Sequence, residues 1–131
     1  MSDNTDSDRD EYVGEYDKLV RDDIPSVVRE DGNKPVTRRV DGDEYERYLA
    51  AKLVEEATEY AAALGDDNDT EADDEDPISE LADVHAVLDA IVAASDHSTE
   101  AVAARVREKA SDRGGFADGV VLERIVAGDD D

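Results

Sequence analysis

The sequence has 131 residues, no cysteine, 38 acidic and 14 basic side chains, and a formal net charge of −24. A chain of this length suits one domain with one core. The missing cysteine excludes disulfides, thiolate metal sites and a cysteine nucleophile, and the charge argues against binding duplex nucleic acid through its phosphates.

Apolar residues make up 39% of the chain, with no Trp and one Phe. A core built from Leu, Val, Ile, Ala and Tyr is thin, and burial against another copy of the chain is the expected remedy. No apolar run approaches the roughly 18 residues of a membrane span. The opening Met1-Ser2-Asp3-Asn4-Thr5 has neither a basic nor an apolar region of the secretory kind, so a soluble cytoplasmic protein is expected. Acidic residues are spread over tails, loop and helix exteriors, which is the pattern of a halophile, where the screening length falls to about 3 Å. The other reading is an acidic surface for a basic partner. On the salt reading, most carboxylates carry no mechanism, and only those that break the pattern are informative.

In chain order, residues 1–14 read as a disordered acidic tail. A single domain is expected over 15–127, with a second acidic tail at 128–131. Asp22 or Asp23 caps a short helix with Pro25 in its first turn, running to about Glu30 and closed by the turn Asp31-Gly32-Asn33. Residues 35–40 are β-prone, with Pro35 confining them to an edge. Asp43 is a candidate N-cap for a long helix over 44–64. An acidic, solvated loop follows at 65–76. Asp76 then caps a helix over 77–95, with Pro77 in its first position. Ser98 or Thr99 caps another helix, which ends near Arg113 with Gly114-Gly115 as its C-cap. Residues 120–126 are a second short strand candidate, pairing with 35–40 in one β-hairpin.

Two acidic pairs break the pattern. Glu56/Glu59 and Glu80/Asp83 are each three residues apart, one turn along one helix face. At about 100° per residue, Tyr45, Leu49, Leu53, Tyr60 and Ala63 all fall within about 60° of Glu56. Val84, Val87 and Ile91 fall within about 40° of Glu80. Each glutamate is thus centred on an apolar stripe, where a carboxylate is costly unless paired or bound to a cation. His85 and Asp89 point away from that stripe and read as surface residues.

Four inward carboxylates suit a hard divalent cation held through oxygen, Mg²⁺ first, and disfavour zinc. Mg²⁺ on carboxylates is a common device for holding a polyphosphate. On the last long helix, Lys109 and Arg113 extend an apolar face and are candidate phosphate contacts; equally, cations suit a helix C-terminus on dipole grounds alone. No G-x-S-x-G, H-E-x-x-H, Walker or Rossmann glycine pattern is present.

Lys52-Leu53-Val54-Glu55-Glu56-Ala57-Thr58-Glu59, followed by Glu80-Leu81-Ala82-Asp83-Val84, resembles the E-E-x-x-E…E-x-x-D signature of the MazG-like all-α nucleoside triphosphate pyrophosphohydrolases. Tyr16-Asp17-Lys18-Leu19-Val20-Arg21-Asp22 with Ile24-Pro25, and Lys109 through Arg113-Gly114-Gly115-Phe116, resemble the phosphoribosyl-ATP pyrophosphohydrolase-like subgroup. The resemblance covers about residues 16–123. It implies an all-α helical bundle completed as a homodimer or homotetramer. It also implies cleavage of a nucleotide substrate between its α- and β-phosphates, giving a monophosphate and pyrophosphate, with Mg²⁺ (or Mn²⁺) as cofactor. By position, Glu56, Glu59, Glu80 and Asp83 would be metal ligands, Glu55 would support or orient a water beside Glu56, and Lys18, Arg21, Lys109 and Arg113 would meet phosphates. The long acidic loop departs from the family pattern. The resemblance leaves open a house-cleaning enzyme, phosphoribosyl-ATP hydrolysis in histidine biosynthesis, and a member without activity. A non-catalytic acidic helical interaction module is the reading from another class.

Overall fold

The structure is a computed structural model that describes residues 14, 16–65 and 76–128. The acidic tails expected at 1–14 and 128–131 and the acidic loop at 65–76 lie almost wholly outside the described residues. Within the described residues the regular structure is helical throughout: α1 Ile24–Glu30, α2 Gly42–Gly65, α3 Pro77–Ala94 and α4 Thr99–Arg113. None of these helices is long and apolar enough to cross a membrane.

Local chemistry sets most of the helix ends. Pro25 sits in the first turn of α1, where its missing N–H is no loss, and Asp23 takes the N-cap position without a side-chain hydrogen bond. At α3 the Asp76 carboxylate accepts from Ser79 N at 3.2 Å, with Pro77 next in the chain. At α4 it is Ser98, not Thr99, that caps, accepting from Ala101 N at 3.0 Å. Gly114 then ends α4 at φ 86°, a backbone angle that suits glycine, with its N–H on Ala110 O at 2.8 Å. The start of α2 differs from expectation. Asp41 O accepts the first bond from Tyr45 N, so Asp43 lies in the first turn beside Glu44, where negative charge meets the helix dipole without acting as the cap.

The expected β-hairpin is absent: no strand occurs among the described residues. Residues 34–40 are irregular, and Arg38 turns to α2, donating from Nη2 to Glu44 at 3.2 Å and to the Tyr48 hydroxyl at 3.0 Å. Tyr48 in turn donates to Asp17 at 2.6 Å, so one phenol gathers two irregular segments onto α2. Residues 120–126 lie open, with Val120, Val121 and Ile125 all exposed. β-branched residues favour a strand only where a partner offers a pleated surface to pack on, and neither stretch finds one.

The main tertiary contact is α2 against α3, with α4 lightly attached to α3. Leu49 of α2 is the one buried apolar side chain among the described residues. Tyr45, Leu53, Tyr60, Val84, Val87 and Ile91, placed on the two apolar stripes from sequence, are all half-buried. With so little packing behind it, α4 depends on its ends. Ser98→Ala is expected to cost about 1 kcal/mol in urea unfolding, with loss of far-UV helix signal preceding the main transition.

Candidate metal centre

Besides Leu49, the buried side chains among the described residues are Glu56 and Glu80, each 7% exposed. They come from the facing helices α2 and α3, at the positions their apolar stripes assign. Helical spacing adds Glu59 one turn after Glu56. One carboxylate oxygen from each of Glu56, Glu59 and Glu80 lies within 4.8 Å of the other two. Three carboxylates at that separation repel unless something positive lies between or beside them.

Part of that positive charge is internal. Lys52, only 15% exposed in its side chain, reaches Glu56 Oε2 at 3.1 Å and Glu55 Oε1 at 3.4 Å. These are the i,i+4 and i,i+3 positions of one helix. Glu56 Oε1 remains buried and has no hydrogen-bond partner among the described residues. A buried carboxylate oxygen with no donor is unstable on its own. One oxygen of the same carboxylate belongs to the converging set, so the donor set fits a hard cation bound through oxygen. Glu80 stands in the first turn of α3, where the helix N-terminus favours its negative charge.

Titration follows this layout. Glu59 is solvent-exposed overall, yet loss of water around its carboxyl, then the charges of Glu56 and Glu55, hold it above the ordinary carboxylate range against the opposing pull of Lys52 and Lys18. Glu55 goes the other way. Burial pushes it up, but the Lys18 hydrogen bond and the charges of Lys52 and Lys18 together outweigh burial and hold it below its ordinary 4.5. Its contribution to stability is therefore complete above 4.5 and is lost as pH falls through the lowered folded value.

The other residues singled out from sequence fall into two groups. Asp83 is not in the converging trio; its Oδ1 accepts from Arg21 Nη2 at 2.7 Å. Glu55 Oε2 pairs with Lys18 Nζ at 3.0 Å. Lys18 and Arg21 thus lie at the acidic centre, brought from the irregular segment before α1. Lys109 and Arg113 do not join them. With Glu108 and Asp112 they line a shallow 340 Å³ depression at the end of α4, and the nearest acid to Arg113 is Asp112 at 3.8 Å. His85 and Asp89 pair with each other on the exposed face of α3, as their angle on the helix requires.

The sequence carries a signal for Lys52 as a structural ion-pair partner of the acidic pairs. A lysine on the apolar side of a helix, three and four residues before two glutamates, is the expected internal counter-ion. The Asp17–Tyr48–Arg38–Glu44 chain gave no such signal, because its members come from segments without a shared period.

No protein-family profile and no solved structure matches the chain. An uncharacterized protein of Mycolicibacterium smegmatis is 50% identical to it over 46 residues, which are 35% of this chain and 47% of that protein. The match therefore spans about half the length of that relative.

Proposed function

We propose that the chain is a divalent-cation-dependent nucleotide pyrophosphohydrolase of the MazG-like kind, cleaving a nucleoside triphosphate or related nucleotide to monophosphate and pyrophosphate. The observation that carries this reading is the convergence of Glu56, Glu59 and Glu80 from two helices, with a buried Glu56 oxygen that no donor among the described residues satisfies. Glu56, Glu59 and Glu80 would hold Mg²⁺ or Mn²⁺, with Asp83 one turn beyond Glu80 as the fourth carboxylate. A divalent ion so held supplies neutralisation of phosphoryl oxygens and a more acidic water. Glu55, kept ionised by Lys18 and Lys52, would orient that water and accept its proton once a cation is bound. Lys18 and Arg21 offer positive charge at the rim for phosphate oxygens. Lys109 and Arg113 reach a phosphate only if another element or another copy carries them to it.

A second copy is part of the proposal. Val54 and Leu64 on α2, Ile78 and Leu81 on α3, Val106 on α4 and Phe116 beyond it are all exposed, against one buried apolar side chain among the described residues. A homodimer or homotetramer would cover them, and light scattering at high salt reads which. One feature favours the alternative of a non-catalytic helical module: Lys52 already pairs with both Glu55 and Glu56, so part of the acidic charge is used structurally.

The test is pyrophosphate release from a panel of nucleotides that includes phosphoribosyl-ATP, with Mg²⁺ at high salt. Release that Glu80→Gln lowers about 100-fold or more supports the enzyme, on the order of what one charge-assisted contact contributes. Release unchanged by Glu80→Gln, or none from any nucleotide, removes the reading.

A further inference from the structure

Two kinds of cation neutralise the acidic centre, and they differ in exchangeability. Lys52 belongs to α2, is 15% exposed and is held by helix geometry. Lys18 and Arg21 come from an irregular segment, with side chains 40% and 62% exposed, and meet acids 37 and 62 residues further along the chain. They also meet different acids from those that converge. Lys18 takes Glu55 and Arg21 takes Asp83, whereas Glu56, Glu59 and Glu80 make up the trio. The segment has its own anchors: Asp17 on the Tyr48 hydroxyl at one end and α1 at the other. Between them Leu19 is half-buried. The two cations are therefore tethered beside the centre whether or not their ion pairs are made.

An exposed ion pair shifts an equilibrium by only a few-fold. A divalent ion that recruits Asp83, through either carboxylate oxygen, shares that carboxylate with the guanidinium on Oδ1 at 2.7 Å, and the two positive groups repel. Charge delivered to the trio also weakens the field that keeps Lys18 on Glu55, since Glu59 contributes to that field as well as Glu55.

We propose that residues 16–23 form a strap whose cations compete with a divalent ion for the outer carboxylates. Loading the centre then transfers Arg21, and with it Lys18, from carboxylate to the phosphates of the substrate. The strap rests on the cation-site reading above. It adds an ordered sequence to that reading: ion first, then release of the strap cations, then polyphosphate. It makes Arg21 and Lys18 residues that read phosphate only at a loaded centre, so that free nucleotide meets a centre whose rim cations are already engaged.

Competition has a sign that a supporting role lacks. Mg²⁺ binding to the full-length protein, followed by calorimetry, is expected to tighten about two- to fivefold in Arg21→Ala, while Arg21→Lys stays near wild type. Trypsin cleavage after Lys18 in the wild-type protein is expected to quicken with Mg²⁺ at constant ionic strength. If Arg21→Ala binds Mg²⁺ equally or more weakly, and cleavage after Lys18 is unchanged or slower, the strap is a fixed part of the fold and the proposal fails while the metal centre stands. If the wild-type protein binds no Mg²⁺, the metal centre and the strap fail together. Arg21 is exposed, so its loss does not put folding at risk.

Discussion

Replacing Glu56 by Gln is expected to abolish the response of the protein to divalent cations while leaving the fold intact. The two effects have separate origins. In the folded chain Glu56 is buried, one oxygen is on Lys52, and the other has no donor among the described residues. An ionised oxygen in that setting is a cost that a bound cation removes. Glutamine keeps the shape, removes the charge and presents an amide, which is a poorer ligand for a hard ion. Loss of one charge-assisted contact corresponds to about 1.5–3 kcal/mol, or roughly 10- to 150-fold in ion affinity. On the proposed function, turnover of a nucleotide is expected to fall at least as far. Stability without divalent ion moves little, because Lys52 still pairs with Glu55 and the uncompensated charge is gone. Thermal melting with and without Mg²⁺, against a monovalent salt of equal ionic strength, separates the terms. Wild type gains stability from Mg²⁺ beyond the salt effect; Glu56→Gln does not. Equal gains in both proteins leave the carboxylate as a structural ion-pair member. On that outcome Glu56→Leu would stabilise the helix pair, as expected for a module whose buried charge is only tolerated.

The position of Glu56 was legible in the sequence for the reason that makes it informative. In a chain this acidic, charge alone says nothing, but helix periodicity gives each acid an angle. Glu56 and Glu80 lie at the middle of apolar stripes, and both are buried on facing helices. Periodicity is local, and so are caps. Asp76, Ser98 and Gly114 end their helices through contacts three or four residues away. Pairing of distant irregular segments has no such local code. The strand reading of 35–40 and 120–126 rested on β-propensity, which records how side chains pack on a neighbour rather than a backbone preference. No strand neighbour occurs among the described residues, and Arg38 instead answers to Glu44 and Tyr48. The partition of the acids was equally out of reach. Spacing gives Glu80/Asp83 the same standing as Glu56/Glu59, and only the arrival of Arg21 from 62 residues earlier distinguishes Asp83.

Removing Lys52 is the opposite experiment, and it is expected to have the largest effect on stability. Lys52→Met keeps most of the apolar stem that lies along α2 and deletes the ammonium that Glu55 and Glu56 share. Breaking a largely buried ion pair from one side costs about 3–5 kcal/mol, because the remaining charge stays buried without its partner. The lower end applies here, since Glu55 keeps Lys18 and is about a quarter exposed. Against a total stability of about 5–15 kcal/mol for a domain, a loss of about 3 kcal/mol is large. Its dependence on solution conditions identifies its cause. If the loss is electrostatic, a divalent ion at the trio replaces the ammonium. Mg²⁺ then restores more stability to Lys52→Met than it adds to wild type, and binds the variant more tightly, one like charge having been removed. Acid relieves the same strain by protonating Glu55, so the gap between variant and wild type narrows as pH falls through 4.5 and below. If the loss comes from packing, it is the same with and without Mg²⁺ and flat across pH. Urea unfolding of both proteins at two pH values, each with and without Mg²⁺, decides between a centre built to hold a cation and a helix pair that only tolerates its acids.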